Sequence, residues 1–155
     1  VPGRVLIGDL HEVQLLRTLR NKEVDIYGVA STDTSAIEAV DVRHENLFDH
    51  LGDLQNESLG GFVLCGIPDR GSVNEQLRVF RLLLSKCKTG AAVAVIVVHP
   101  ETWAAQLGPV AADLLHGRPM HAETWSYLLA REGASQVTVT EASDSSYCLV
   151  TANLP

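Results

Sequence analysis

The stretch that decides the fold is "AAVAVIVV", Ala91 to Val98, eight consecutive apolar residues. It is too short to be a long buried helix and apolar on both faces, as a central parallel strand covered by helices must be. Just upstream, Thr89 and Gly90 end a helix that Ser72 opens, with Glu75 three residues on to complete a capping box. Val73, Leu77, Phe80, Leu84 and Cys87 keep one apolar face in register along that helix for four turns. Phe62 to Cys65 reads as another buried strand before it. Downstream, Gly108 and Pro109 start a helix to His116, and a further helix covers Ala122 to Glu132 and stops at Gly133. Gln136 to Thr140 ("QVTVT") then alternates with period two, "EASDSS" follows, and Tyr147 to Thr151 is apolar again, a hairpin pattern.

The first half repeats the alternation in shorter pieces. Arg4 to Ile7 is a strand, Asp9 an N-cap, and Val13/Leu16 with Leu15/Leu19 give helical spacing after it. Ile26 to Val29 is a second strand, Ser35 to Ala39 a short helix, Asp41 to His44 a third strand and Leu47 to Leu54 a small helix. Repeated strand, helix, strand units imply a parallel sheet with crossover helices, and the terminal hairpin must reverse at least one strand. The expected fold is α/β: a Rossmann-like three-layer α/β/α sandwich with a mostly parallel seven-stranded sheet and a C-terminal antiparallel hairpin.

Composition narrows the function classes. The chain has 155 residues with 46% hydrophobic and only 5% aromatic content, which suits one domain over residues 1–155 with an aliphatic core. A net charge of −7 with no basic run longer than two residues argues against a nucleic-acid partner. No apolar run approaches the roughly 20 residues that a membrane crossing needs. Three widely spaced cysteines, Cys65, Cys87 and Cys148, suggest neither a disulfide framework nor a zinc knuckle, so the expected location is the cytoplasm. The chain opens at Val1 rather than Met, from which we expect a domain excised from a longer protein.

Several stretches, taken in order, resemble the class I S-adenosylmethionine-dependent methyltransferases over essentially the whole chain. "LRNKEVDIYGV" is similar to that family's passage from first helix to second strand, "DVRHENLFDHL" to the passage around its third strand, and "SLGGFVLCGIPD" to its fourth strand. "LLLSKCKTGAAVAVIVVHPE" resembles its fifth strand, which follows a turn usually written K/R-P-G-G, and "RPMHAETWSYLLAREGASQVTV" its last helix and sixth strand. The resemblance implies S-adenosylmethionine as cofactor and a site at the carboxyl edge of the sheet.

The family's chemistry rests on a few positions. Its first strand ends in an acid and enters a G-x-G-x-G loop, where backbone approaches the cofactor without a Cβ in the way. Aligned without gaps from "VDIYGV" backwards, the acid falls on Ile7 and the glycines on Asp9, His11 and Val13. The ribose-binding acid at the end of the second strand falls on Ala30, and Asp33 is three residues too far along to replace it. The Asp that often faces the adenine amine is matched by Asn46, a mild change. Gly8, Asp9, His11, Ala30 and Asn46 thus mark the positions of a degenerate cofactor site. A β-branched side chain in the pocket costs about 1–3 kcal/mol as overpacking. Losing the ribose carboxylate removes a charge-assisted bond worth ~1.5–3 kcal/mol. Together these weaken binding by about two to four orders of magnitude.

Other residues admit sharper readings. Cys65 with His99 as its base would make a thiol enzyme, against the simpler account of Cys65 as a small buried hydrophobe and His99 as the end of a strand. Asp69 and Glu101 would line the same edge. No two of His11, His99, His116 and His121 share a metal-ligand spacing within one element, so no metal site is expected. Trp125, with Leu128 and Leu129, should pack a helix on the sheet, while Trp103 fits a substrate or partner surface as well as a packing role. The expected function is a methyltransferase-like domain without cofactor or catalytic residue, a structural or protein-interaction module for a protein partner or other domains of the same chain, with a homo-oligomer also open. The alternative is an active S-adenosylmethionine-dependent methyltransferase with an atypical pocket.

Overall fold

The computed structural model describes residues 3–10, 24–31, 41–144 and 146–155. In chain order its elements are β1 (Val5–Gly8), β2 (Ile26–Ala30), β3 (Val42–His44), α1 (Leu47–Asp53), β4 (Leu59–Leu64), α2 (Ile67–Arg70), α3 (Val73–Lys86) and β5 (Cys87–Val98). There follow α4 (Pro100–Leu107), α5 (Pro109–Leu114), α6 (Ala122–Arg131), β6 (Ser135–Glu141) and β7 (Tyr147–Asn153). One seven-stranded sheet results, in the order β3-β2-β1-β4-β5-β7-β6. The first five strands are parallel, and β7 runs antiparallel to both β5 and β6. The mostly parallel Rossmann-like sheet with its reversed C-terminal hairpin is therefore present. The helices expected around Val13–Leu19 and Ser35–Ala39 lie outside the described residues.

Strand alternation divides the core between the two faces of the sheet. On one face Leu6, Phe62, Leu64, Val93, Val95, Val97 and Val150 meet Val79, Phe80 and Leu83 of α3 and Trp125 and Leu129 of α6. The rings of Phe80 and Trp125 meet edge to face, centroids 5.8 Å apart. Trp125 is wholly buried, so its packing role holds. On the other face Ile7, Leu10, Ile26 and Ala30 form a smaller buried cluster with Val5, Val42, Val63 and Cys65 around it.

Three details differ from the sequence reading. The buried face of α3 is Gln76, Val79, Phe80 and Leu83, with Val73 exposed and Leu77 half-buried at the rim. Apolar residues cover more than half of this helix's circumference, leaving a polar stripe at Asn74, Arg78, Arg81 and Ser85, so periodicity alone admits two faces. The observed one is possible because Gln76 Nε2 donates to the carbonyls of Gly71 (2.8 Å) and Arg118 (2.7 Å). Secondly, β5 begins at Cys87, which pairs with Leu59; the register then shifts before Gly61 pairs with Ala92, and Gly90 (φ 76°) falls inside that irregularity. The turn residues Thr89 and Gly90 mark a bulge within the strand, not a loop before it. Moreover, within "AAVAVIVV" only Ala91, Val93, Val95 and Val97 are buried, so this part of β5 is fully covered on one face alone. Finally, α4 was not anticipated, although Pro100 stands in its first turn and Gly108 (φ 77°) separates it from α5.

α1 is held to β2 by a buried relay. His50 Nε2 lies 2.9 Å from the Tyr27 hydroxyl, and Nδ1 lies 2.6 Å from Glu45 Oε1. The guanidinium groups of Arg4 and Arg43 stand 4.7 and 5.0 Å from the centroid of the Tyr27 ring. This fixes the start of α1, and with it Asn46, beside the carboxyl end of β2.

Candidate functional site

The strand order reverses direction between β1 and β4, the place where an open α/β sheet leaves a crevice beyond its carboxyl ends. Here backbone pairing continues past the end of β1. The Asp9 amide donates to Cys65 O (2.6 Å), the Cys65 amide to Gly8 O (2.9 Å) and the Leu10 amide to Val29 O (2.8 Å). Residues 9 and 10 therefore stay laced between β2 and β4. Asp9 is 6% exposed, and its carboxylate is shared among three donors: the Ser31 amide (3.1 Å), the Ser31 hydroxyl (3.2 Å) and Arg70 Nη2 (3.1 Å). It thus links the tip of β2 to α2 directly across the mouth of the crevice.

The preceding residue of α2 makes a second tie at this edge. Asp69 Oδ1 accepts from the Val98 amide at 2.7 Å, tying α2 to the end of β5. Burial pushes the Asp69 carboxyl above its ordinary value of 3.8, against the Val98 hydrogen bond and the Arg70 charge, which favour the ionised form. The folded protein thus holds this proton more tightly than the unfolded chain. The resulting stabilisation is present below the ordinary carboxylate value and lost as pH rises through the folded-state value. Asp69→Asn, which keeps the acceptor and cannot ionise, should therefore gain stability relative to the parent as pH rises through that window, then hold a constant lead. Urea midpoints from pH 4 to 8 read it; a lead that shrinks with rising pH would overturn the sign.

Cys65 is not poised as a nucleophile. Burial first, then the Asp9 and Asp69 charges, push its thiol up to about 12, and Sγ donates to the Asp9 carbonyl at 3.6 Å. No hydrogen bond joins it to His99, which stands at the N-cap of α4 without a side-chain capping bond. Among the described residues no three His, Cys, Asp or Glu side chains gather as a metal ion would need.

The structure places the other marked positions as follows. A Cβ on Gly8 would lie 2.8 Å from Leu47 Cδ1, so packing against α1 accounts for this glycine. Ile7 and Ala30 are completely buried, and neither offers a polar atom to a ribose. Asn46 Oδ1 accepts from the amides of Phe48 (2.8 Å) and Asp49 (3.4 Å), so that oxygen caps α1. His11, Val13 and Asp33 lie outside the described residues, as does the helix that Asp9 was expected to cap. Ser31, Asp69 and Arg70 were not read from the sequence as partners of Asp9 or of β5. The only hint was "PDR" after a strand, two charges where a buried chain would carry none. Among the described residues, the β2 tip carries an alanine where the resemblance implies a ribose-binding acid, and the Asp9 carboxylate beside it is already bonded.

No protein-family model and no curated protein sequence matches the chain. Solved structures do. An S-adenosylmethionine-dependent methyltransferase from Archaeoglobus fulgidus superposes with a TM-score of 0.80 at 14% identity, covering 97% of this chain and 86% of that one. Human N-acetylserotonin methyltransferase in complex with S-adenosylmethionine gives 0.66 at 14% identity over 97% of this chain, which spans only 47% of that enzyme. The 1,6-didemethyltoxoflavin-N1-methyltransferase of Burkholderia thailandensis, with its substrate and S-adenosylhomocysteine bound, gives 0.69 at 9% identity, covering 99% and 71% of the two chains. At these identities the likeness is one of fold. The chain has the class I methyltransferase fold.

Proposed function

We propose that this domain is a methyltransferase fold whose cofactor crevice is closed by its own side chains, and that it works without cofactor as a structural or protein-interaction module. Its partner is another protein or another domain of the same chain, in the cytoplasm. The observation that carries this reading is the Asp9 carboxylate, nearly buried and bonded to Ser31 and Arg70 across the mouth between β1, β2 and α2. A ligand entering there would have to break an ion pair and displace a strand-like backbone. Its ribose hydroxyls would then face Ala30, which accepts nothing.

A second reading has one observation in its favour. Asp9 does set a carboxylate at the tip of β2, delivered from the neighbouring strand, and the Arg70 side chain paired with it is half-exposed. In that case Asp9 would take the ribose in place of the missing acid, and the domain would be an active methyltransferase with an atypical pocket. Calorimetric titration with S-adenosylmethionine and S-adenosylhomocysteine separates the two. The closed site predicts no heat of binding and no thermal upshift at millimolar ligand, whereas a ligand at 100 times its Kd stabilises by ~2.7 kcal/mol. A micromolar Kd would overturn the proposal and install the second reading.

A further inference from the structure

Away from the closed crevice, a cavity of about 360 Å³ opens between the start of α3, the first turns of α4 and the segment leading into α6. That volume lies within the range of small-molecule sites. Its wall is mixed: Val73, Pro100, the indole of Trp103 and Met120 give an apolar part, and Arg118, His121 and Thr124 a polar one. Arg118 is exposed and forms no ion pair among the described residues. Its backbone, by contrast, is fixed. The Arg118 carbonyl takes the Gln76 amide at 2.7 Å, and Gly117 lies so close to the backbone of Arg70 and Gly71 that any Cβ there would overlap them. An unpaired guanidinium on a rigid mount beside an indole and a thioether is the arrangement of an amphipathic anion site: apolar body against the wall, carboxylate on the fork.

The surroundings agree. The cleft lies at the first turns of α4 and α6, where the positive ends of two helix dipoles add favourable potential for an anion, although Pro100 removes the first amide N–H of α4. Glu101 and Glu123 stand in those same turns but do not line the cavity. The cavity of similar volume beside Val5, Ile26 and Ala94 has no charged residue in its lining. We propose that the Trp103–Arg118 cleft binds a small amphipathic carboxylate, an aryl or alkyl acid.

The test uses 4-phenylbutyrate and its neutral counterpart 4-phenylbutanol, titrated into ¹⁵N-labelled protein. Saturable shifts at the Trp103 indole, Met120 and His121 are expected with the acid, and the alcohol should bind about tenfold more weakly, one charge-assisted hydrogen bond being worth about that factor. Arg118→Ala, an exposed change that should leave Tm untouched, is expected to erase the preference for the acid while leaving alcohol binding intact. Trp103→Ala should weaken both. Equal binding of acid and alcohol, an undiminished preference in Arg118→Ala, or shifts centred elsewhere would each overturn the proposal. Neither the Trp103 nor the Arg118 side chain bonds to Asp9, Ser31 or Arg70, so either proposal can fail without the other.

Discussion

Phe80→Asp is expected to abolish soluble, folded protein. Phe80 is 2% exposed at the centre of the larger core, edge-on to a fully buried Trp125 and next to Val79 and Leu83. Truncating such a ring alone costs about 3–5 kcal/mol. The carboxylate adds a charge within an apolar core, and the total rivals the ~5–15 kcal/mol that holds a domain together. Leu77→Asp on the same helix is the control, because Leu77 is half-buried at the rim and its carboxylate can reach water. The fraction of soluble protein and the circular-dichroism melt read both variants. A folded Phe80→Asp, or a Leu77→Asp that is equally ruined, would mean that α3 lies on the sheet by another face.

Ile7→Asp should fail for a different reason. In the family that the chain resembles this position carries the acid at the end of the first strand, so the change restores a motif residue. Yet Ile7 is completely buried here, in the apolar cluster with Leu10, Ile26 and Ala30. A buried carboxylate without a partner costs several kcal/mol even after its pKa shifts, roughly 3–5 kcal/mol by comparison with broken buried pairs. Chemical denaturation should show a loss of that order. A variant as stable as the parent would mean that polar space remains at the end of β1, and the closed-crevice reading would fall with it.

The sheet was legible because its signals are redundant. "AAVAVIVV", the capping box at Ser72 and the period-two run "QVTVT" each point to one element, and their sequence order constrains the topology. The network at the carboxyl edge was not legible, because it joins Asp9, Ser31 and Arg70 across as many as 61 residues of chain, and no periodicity relates a strand tip to the end of a four-residue helix. The face of α3 was misjudged where Gln76, a polar residue, proved buried: its two carbonyl partners come from Gly71 and Arg118, and the second is 42 residues away. Local pattern reports which residues are apolar. It does not report which polar ones will find partners.

The position of β7 bears on how the domain is made. This strand follows the other six in sequence, yet it lies inside the sheet, between β5 and β6. While a ribosome is still short of residue 147, β5 must therefore wait with one side of its backbone unpaired, although the seven-residue register from Ala92↔Asn153 to Val98↔Tyr147 is what eventually seals it. A nascent chain holding an apolar strand edge open is a template for pairing with its neighbours on the same message. Synthesis of the final hairpin is the event that ends that exposure, so a stalled or truncated chain should be handed to chaperones rather than persist as a slightly smaller domain.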